Sequence, residues 1–333
     1  MKKTIIFIVL LIIPLLSMSE VYVLLYHRFN DERYPTTNTT TQDLTTHIRY
    51  ILENGYRIIS PEEFLLYIQG EINIDKGVLF TVDDGYKSTL EGLKIFEEYE
   101  IPFLLFVPTE FIGYPDYLSW DDLRSLNENS LVTIGGHSHS HGNFLETLRI
   151  NGKEKTIEIF EEDLKKMFDK FEKELNFRPD LYAYPYGYYF NGVEEVLEKH
   201  GIKAAFAQDS GPYVKEYGNY FIPREALLQD WAELEHLNYV LNRRALILGN
   251  YEPQEVKVNT EIQIKAVTKN INPKRPTVYI TQEGVLPTSL DENIIYSEKK
   301  ILPNTKTVNR IAIFARDENN IEYVKYWLLR LIP

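Results

Sequence analysis

Residues 78–85 of the chain read VLFTVDDG, an apolar run that ends in two adjacent carboxylates and a glycine. A short buried run of this kind, followed by a helical pattern that continues to Glu98, is typical of one strand–helix unit of an α/β protein. Because neighbouring carboxylates repel each other, Asp83 and Asp84 make chemical sense where a cation or a shared proton relieves them. The alternative is an ordinary tight turn, since Asp-Gly is a common turn dipeptide.

The same unit recurs on both sides of this segment. Strand-like apolar runs begin at Val21, Phe103, Leu131, Leu181 and Ala204, and helical patterns lie between most of them. Strands that alternate with crossover helices predict a parallel sheet, and about seven such units predict a distorted (β/α) barrel. An open doubly wound sheet is the structural alternative, although the chain has no GxGxxG or Walker-type loop that would favour nucleotide binding in it.

The pattern changes after Leu248. Residues 255–258 and 261–265 alternate with period two, and further strand candidates follow, separated by Asn, Pro and Gly. Period two and turn residues indicate antiparallel strands. We therefore predict an α/β domain over residues 20–248 and a small β-sandwich-like accessory domain over residues 249–333. The change of period also predicts that the first domain folds without the second.

The first nineteen residues differ from the rest. Lys2 and Lys3 precede an apolar run from Thr4 to Leu16, and small residues follow. The run is short for a bilayer span, which needs roughly twenty residues. A cleaved signal peptide over residues 1–19 is therefore predicted, and with it an exported protein that is extracellular, periplasmic or at the cell surface. The alternative is an uncleaved anchor, which would be the protein's one contact with a membrane.

Composition excludes several kinds of site. The formal net charge of −13 argues against a nucleic-acid partner, because phosphate binding requires a basic face. The chain has no cysteine, which rules out disulfides, thiolate metal sites and cysteine nucleophiles. Any bound metal must therefore be held by His, Asp or Glu.

Side chains suited to metal binding and proton transfer follow the ends of the predicted strands. They are His27, Asp83, Asp84, His137, His141 and Tyr186. In an α/β barrel these strand ends converge on one rim, where active sites are built. His137 and His141, four positions apart, can reach one ion from the same face of a helical turn. A solvated histidine-rich loop is the alternative for this pair, but beside strand-end carboxylates an Asp/His/His metal site is the better explanation.

Three segments carry a resemblance to a known family. TVDDG at residues 81–85 resembles the first motif of the NodB-homology polysaccharide deacetylases, carbohydrate esterase family 4. HSHSH at residues 137–141 matches the second motif, in which a histidine is followed by Ser or Thr and then by a second histidine. YPYG at residues 184–187 resembles the third.

The resemblance implies a role for each motif residue. By it, Asp83 is the catalytic base, and Asp84, His137 and His141 hold a divalent metal, with zinc as the expected ion. The backbone amide of Tyr186 helps to bind the oxyanion. The expected fold is that of the α/β domain described above.

Two departures from the family pattern change the assignment. The arginine of the third motif is missing from residues 182–187, and Arg224 is the candidate replacement, as in the branch that resembles the poly-N-acetylglucosamine deacetylases. The usual late Leu-x-Leu-His motif, which supplies a general-acid histidine, is not evident after Arg224, and His236 is expected to be structural. In that branch the histidine follows the first strand, which is the position of His27.

The expected activity is metal-dependent hydrolysis of N-acetyl groups on a polysaccharide that contains N-acetylglucosamine. In this reaction His27, as an imidazolium, would protonate the leaving amine, and acetate would be released. An esterase that removes O-acetyl groups from a wall polysaccharide is one alternative. The other is a non-catalytic carbohydrate-binding wall protein, which would have no need of a metal-binding set.

Overall fold

A computed structural model of the chain describes residues 19–306 and 308–333. The predicted signal peptide therefore lies outside the described residues, apart from Ser19. The elements of the first part of the chain are β1 (Val21–Tyr26), β2 (Arg28–Phe29), β3 (Asn38–Thr39), α1 (Thr41–Glu53), β4 (Arg57–Ile58), α2 (Pro61–Ile68), β5 (Gly77–Val82), α3 (Thr89–Glu98), β6 (Phe103–Val107), α4 (Trp120–Asn127), β7 (Val132–Gly136), α5 (Phe144–Leu175), β8 (Leu181–Ala183), α6 (Val193–Lys199), β9 (Ala204–Phe206), β10 (Glu225–Ala226) and α7 (Leu234–Leu241).

The main sheet is parallel and curved. Its strand order is β10-β1-β5-β6-β7-β8-β9, with β4 paired to β5. From β1 to β9 the long strands follow one another in chain order across the sheet. In a doubly wound sheet the order of the strands reverses partway along the chain, as in 3-2-1-4-5-6. A parallel bridge between Phe206 and Ile222 links the β9 edge to the segment that leads into β10. The sheet is therefore a half-barrel, and the predicted distorted (β/α) barrel is confirmed in this form.

Both faces of the sheet are buried, because successive residues of a strand point to opposite sides. In β1, Tyr22, Leu24 and Tyr26 pack with the helices in the largest core cluster. Val21 and Val23 pack into a separate cluster on the other face. This double burial explains why the strands read as continuous apolar runs.

Helix α5 begins close to the histidine-rich segment. Its first residue is Phe144, and Asn143 caps it by accepting a hydrogen bond from the backbone N–H of Glu146. Gly152 has a φ of +75°, which marks a kink inside the helix. The first turns of α5 therefore follow directly on the histidine-rich segment of residues 137–141, so they lie next to its candidate metal ligands in the chain.

The second part of the chain forms the predicted antiparallel sheets. Its strands are β11 (Arg244–Ala245), β12 (Leu248–Glu252), β13 (Glu255–Lys257), β14 (Lys265–Thr268), β15 (Lys274–Ile280), β16 (Gly284–Leu286), β17 (Thr288–Asp291), β18 (Ile294–Ser297), β19 (Asn309–Arg316) and β20 (Glu322–Ile332). One sheet has the order β11-β20-β19-β15-β16, and the other β12-β14-β18-β17. Two short strands, β11 and β13, join β20 in parallel. Because β11 already pairs with β20, the β architecture starts slightly before Leu248.

The two parts share a contact surface. Leu328 of β20 is fully buried in the core cluster of the α/β part. Its backbone N–H donates a hydrogen bond to the Tyr189 hydroxyl over 2.9 Å. Within the described part of the chain, no helix combines the length and the apolar character that a membrane crossing requires.

Candidate metal centre

The candidate residues meet at one edge of the half-barrel, as the sheet register requires. Tyr26 and Val82 are register partners at the ends of the adjacent strands β1 and β5. His27 follows the first strand and Asp83 the second. Strand β7 ends at Gly136, one strand beyond β6, and leads into His137.

The backbone is unusual at three of these positions. Asp84, His141 and Tyr186 have φ values of +71°, +52° and +59°. Non-glycine residues rarely adopt this left-handed region, and such strain concentrates at functional sites. At each of the three residues the backbone therefore departs from regular strand or helix geometry.

Asp84, His137 and His141 bring three ligand atoms together. These atoms all lie within 4.8 Å of one another. The Nε2 atoms of His137 and His141 are 3.3 and 3.1 Å from Asp84 Oδ1. In a tetrahedral site with ligand bonds of about 2.1 Å, neighbouring ligand atoms are about 3.4 Å apart. The spacing therefore fits a small divalent cation.

Hydrogen bonding supports the same interpretation. His137 Nδ1 lies 2.8 Å from the carbonyl oxygen of Ala183, so Nδ1 carries the proton and Nε2 of the neutral ring presents its lone pair to Asp84. Asp84 Oδ1 is buried and accepts no hydrogen bond of normal geometry within the described residues. Lone pairs that face each other at this distance repel unless a proton or a cation lies between them. The donor set thus suits a metal, and the carboxylate–imidazole–carbonyl arrangement is typical of metal-bound histidine.

Electrostatics keep Asp84 ionised. Burial acts to raise its pKa, but the imidazoles of His137 and His141 beside it and the charge of His27 hold the pKa well below its usual range. For His137, burial acts to lower the pKa, and the charges of Asp83 and Asp84 outweigh it and raise the pKa. The two carboxylates therefore favour positive charge at this position, as a proton on His137 or, where the ring is neutral, as a bound cation.

Asp83 precedes Asp84 at the end of β5 and is fully buried. Its two carboxylate oxygens accept hydrogen bonds from Nη1 and Nη2 of Arg224, each over 2.7 Å. Burial acts to raise the pKa of Asp83, and the charges of Arg224 and His137 overcome that effect and lower it. Arg224 thus contacts the residue that the sequence assigns as catalytic base, as expected of the replacement for the third-motif arginine. The catalytic roles of Asp83 and Arg224 remain predictions.

His27 faces the metal centre from the end of β1. Its Nε2 is 4.0 Å from Asp84 Oδ2, and its Nδ1 is buried without a hydrogen-bond partner among the described residues. Burial lowers the pKa of His27, and the charges of Asp84 and Asp83 offset this only in part. The sequence led us to expect a resting imidazolium, so the structure differs here: desolvation outweighs the neighbouring carboxylates. A lowered pKa also makes the protonated ring a stronger acid.

Several of these residues line a cavity of about 390 Å³. Its wall includes His27, Asp84, His137, His141 and Tyr186. The Tyr186 ring is about half exposed and lies 4.7 Å from the His141 ring, centroid to centroid. A cavity of this size, with several convergent polar groups, is typical of a small-molecule or substrate site.

Two of the sequence-highlighted histidines stay outside the cluster. His139 Nδ1 lies 2.9 Å from Thr109 Oγ1. His236 is in α7 and stacks on Trp231 with ring centroids 6.0 Å apart. Neither ring joins the three ligand atoms, in line with the structural role expected for His236.

Sequence reasoning missed Asp163. This buried α5 residue accepts hydrogen bonds from the backbone N–H groups of His139 and Ser140, over 2.7 and 3.0 Å. It therefore fixes the loop that carries His137 and His141. Its position inside a charged helix gives no local signal of this role.

A second missed contact comes from the β part. Arg310 of β19 donates from Nη2 to the carbonyl oxygen of Tyr186 over 3.1 Å, and from Nε to Asp209 Oδ1 over 3.2 Å. Asp209 also accepts a hydrogen bond from the Tyr189 hydroxyl over 2.6 Å. Only a long-range contact could reveal this network, because Arg310 lies in a strand predicted to belong to another domain.

Several solved structures share the fold. IcaB from Ammonifex degensii is 23% identical, covers 65% of this chain and 98% of its own, and has a TM-score of 0.56. A de-N-acetylase from Aggregatibacter actinomycetemcomitans is 15% identical, with 66% and 99% coverage and a TM-score of 0.57. The deacetylase PplD from Streptococcus pyogenes, solved with acetate, is 18% identical, with 68% and 99% coverage and a TM-score of 0.58. No curated protein matches the chain.

The sequence also matches a family profile. Residues 71–205 match the polysaccharide deacetylase family. The matched range contains Asp83, Asp84, His137 and His141, but neither His27 nor Arg224. Over residues 71–205 the chain is therefore similar to the polysaccharide deacetylases.

Proposed function

We propose that this chain removes N-acetyl groups from a polysaccharide that contains N-acetylglucosamine, with a divalent cation held by Asp84, His137 and His141. Zinc is the expected ion, since two imidazoles and one carboxylate are a common zinc set with room for a further ligand. The observation that carries the proposal is the cluster of three ligand atoms within 4.8 Å of one another.

The reaction is an amide hydrolysis. A divalent cation bound at such a site polarises the acetyl carbonyl and lowers the pKa of water. Asp83, kept ionised and oriented by Arg224, accepts a proton from the water molecule that attacks the carbonyl carbon. The backbone N–H of Tyr186 donates a hydrogen bond to the carbonyl oxygen as negative charge develops on it.

His27 completes the proton balance. The bond between the carbonyl carbon and nitrogen breaks as the protonated ring gives its proton to that nitrogen. The products are acetate and a free amine on the sugar. The position of His27 in the cavity wall, with Nε2 directed toward Asp84, supports this role.

Acetate release from defined substrates tests the proposal. The full chain, stripped of metal and then reconstituted with Zn²⁺, is incubated with N-acetylglucosamine oligomers, peptidoglycan and O-acetylated xylan. We expect metal-dependent acetate release from N-acetylated substrates and its loss in Asp83→Asn. Release from xylan alone would identify an O-acetyl esterase, and binding without any release would identify a carbohydrate-binding protein.

We place this activity outside the cytoplasm. The support is the basic, apolar and small-residue pattern of residues 1–19. Fractionation of expressing cells, with N-terminal sequencing of the mature chain, checks it: a processed chain outside the cytoplasm is expected. An intact chain that stays in the cytoplasm would contradict export.

A further inference from the structure

A second cavity lies between the α/β part and the β part, next to the metal centre. Its volume is about 430 Å³. Its walls include Asn143 and Arg149 from the start of α5, Gln282 from the turn between β15 and β16, Lys306 from the loop before β19, and Tyr188. We call this cavity the interdomain cleft.

The interdomain cleft and the metal centre are neighbours in the chain and in space. Asn143 follows His141 by two positions, and Tyr188 follows Tyr186 by two positions. The rings of Tyr186 and Tyr188 lie 5.4 Å apart at an angle of 31°. Tyr186 also contacts His141. A pair of aromatic rings therefore leads from one cavity into the other.

The lining of the interdomain cleft suits a sugar. Gln282 offers an amide group that both donates and accepts hydrogen bonds, and Asn143, whose oxygen caps α5, offers its amide N–H groups. Tyr188, Leu145 and Val308 supply apolar surface beside them. A cleft of several hundred Å³ with apolar walls and a few polar groups is the usual form of a small-ligand site.

The charge of the interdomain cleft is opposite to that of the chain. Among its described lining residues, Arg149, Lys306 and Arg310 are cationic and only Glu146 is anionic, whereas the whole chain carries −13. Arg149 pairs with Glu146 and Arg310 with Asp209, so the positive charge of the cleft rests mainly on Lys306. Like charges repel at short range, although salt screens exposed ones. A sugar with a free ammonium group is therefore disfavoured here relative to one whose nitrogen is acetylated and uncharged.

We infer that the interdomain cleft is a second subsite for the polysaccharide, which holds uncharged N-acetylated sugar units beside the unit under hydrolysis. The inference rests on the proposed function, because it requires an acetylated polymer as substrate. Its consequence is a preference for stretches that are still acetylated. The free amines of the product are then dispersed along the polymer instead of clustered.

Blocking the cleft tests the subsite. Gln282→Trp fills it from the β side, at a position that does not line the cavity of the metal centre, and Glu318→Trp in the exposed turn before β20 is the matched control. We expect Gln282→Trp to raise KM at least about tenfold for an oligomer of six N-acetylglucosamine units, the scale of losing one packed contact set. The kcat of this variant on the six-unit oligomer should stay at the wild-type value. Its kcat/KM on a two-unit oligomer, which is too short to reach the interdomain cleft, should also be unchanged. An unchanged KM for the six-unit oligomer overturns the inference.

Reversing one charge tests the preference for acetylated units. Lys306→Glu should raise the rate on a half-deacetylated oligomer relative to a fully acetylated one by several-fold at low salt, and salt near 0.5 M should remove the difference. Lys257→Glu, outside the interdomain cleft, is the control. Equal ratios in the two variants and the wild type would contradict an uncharged ligand.

Calorimetric titration of metal-free full-length protein with the six-unit oligomer separates this inference from the proposed function. If wild-type protein releases no acetate from any oligomer, the proposed function is wrong. The titration alone then tests whether the interdomain cleft binds the oligomer. Binding that weakens in Gln282→Trp but not in Glu318→Trp supports it. Absence of binding, or equal binding by both variants, overturns it.

Discussion

The guanidinium group of Arg224 donates one hydrogen bond of 2.7 Å to each carboxylate oxygen of Asp83, and both side chains are fully buried. The two residues are 141 positions apart in the chain. Arg224 is held in turn by the carbonyl oxygen of Ala207, which accepts from Nε over 2.8 Å. The pair therefore joins the end of β5 to the segment before β10.

Removing Arg224 should destabilise the protein as well as inactivate it. Arg224→Ala leaves the Asp83 carboxylate buried without its partner, and breaking a buried pair in this way costs roughly 3–5 kcal/mol of unfolding free energy. Urea denaturation measures the loss. Arg33→Ala, which breaks the ion pairs of a largely exposed arginine with Asp31 and Asp116, is the control and should cost much less. A loss as small as that of the control would show that the pair contributes little.

Metal binding should depend on His137 and His141 and not on His139. His137→Gln and His141→Gln each remove one of three ligands, so we expect less than one equivalent of bound metal, whereas His139→Gln keeps the full amount. Elemental analysis after dialysis gives the stoichiometry. Chelation should also lower the unfolding temperature of the wild type, because a cation bound to the folded state stabilises it. Equal metal content in all four proteins would refute the site.

His27 should act on the leaving group and not on the metal. His27→Ala is expected to keep the metal content and to lower kcat on an amide substrate by roughly 10²- to 10⁴-fold, the usual effect of losing acid–base assistance. The loss should be smaller on an activated ester, whose leaving group needs no proton. His236→Ala should leave both rates unchanged. Near-normal amide hydrolysis by His27→Ala would remove this residue from the mechanism.

Arg310 should support Tyr186 from the β part. Arg310→Ala removes a charge-assisted hydrogen bond to the Tyr186 carbonyl oxygen, and we expect kcat on a two-unit oligomer to fall by about 10- to 100-fold, with KM nearly unchanged. Arg316→Ala on the same strand is the control, since the side chain of Arg316 makes its hydrogen bonds within the β19–β20 hairpin. Equal kcat in the two variants would show that Tyr186 needs no such support.

The β part should then matter for the whole enzyme. A chain that ends at Leu248 loses Arg310 and the buried Leu328, so we now expect it to unfold at a lower temperature and to lose at least as much kcat as Arg310→Ala. Thermal unfolding and acetate release measure both effects. A fully active shortened chain would support instead the independence that the change of sequence period predicts.

The sequence revealed those parts of the fold and site that leave a local pattern. Continuous apolar runs mark the strands because both faces of the sheet are buried, and the polar residues after Tyr26, Val82 and Gly136 mark the strand ends. Asp163 and Arg310 left no such pattern, since each acts through a neighbour that is distant in the chain. The start of β11 at Arg244 was hidden for the same reason: its partner is β20, near the far end of the sequence.

The position of β1 has a consequence for how the chain folds. Leu24 pairs with Phe80 of β5 on one side and with Glu225 of β10 on the other, so β1 is an inner strand whose second neighbour comes late in the sequence. Pairings of such long sequence separation slow folding, and a strand edge left open in the meantime invites association with other chains. During synthesis the β1 edge stays unpaired on one side until the ribosome has passed Ala226. We therefore expect refolding to be slow and sensitive to protein concentration, which dilution from denaturant at increasing concentrations would measure as falling yield.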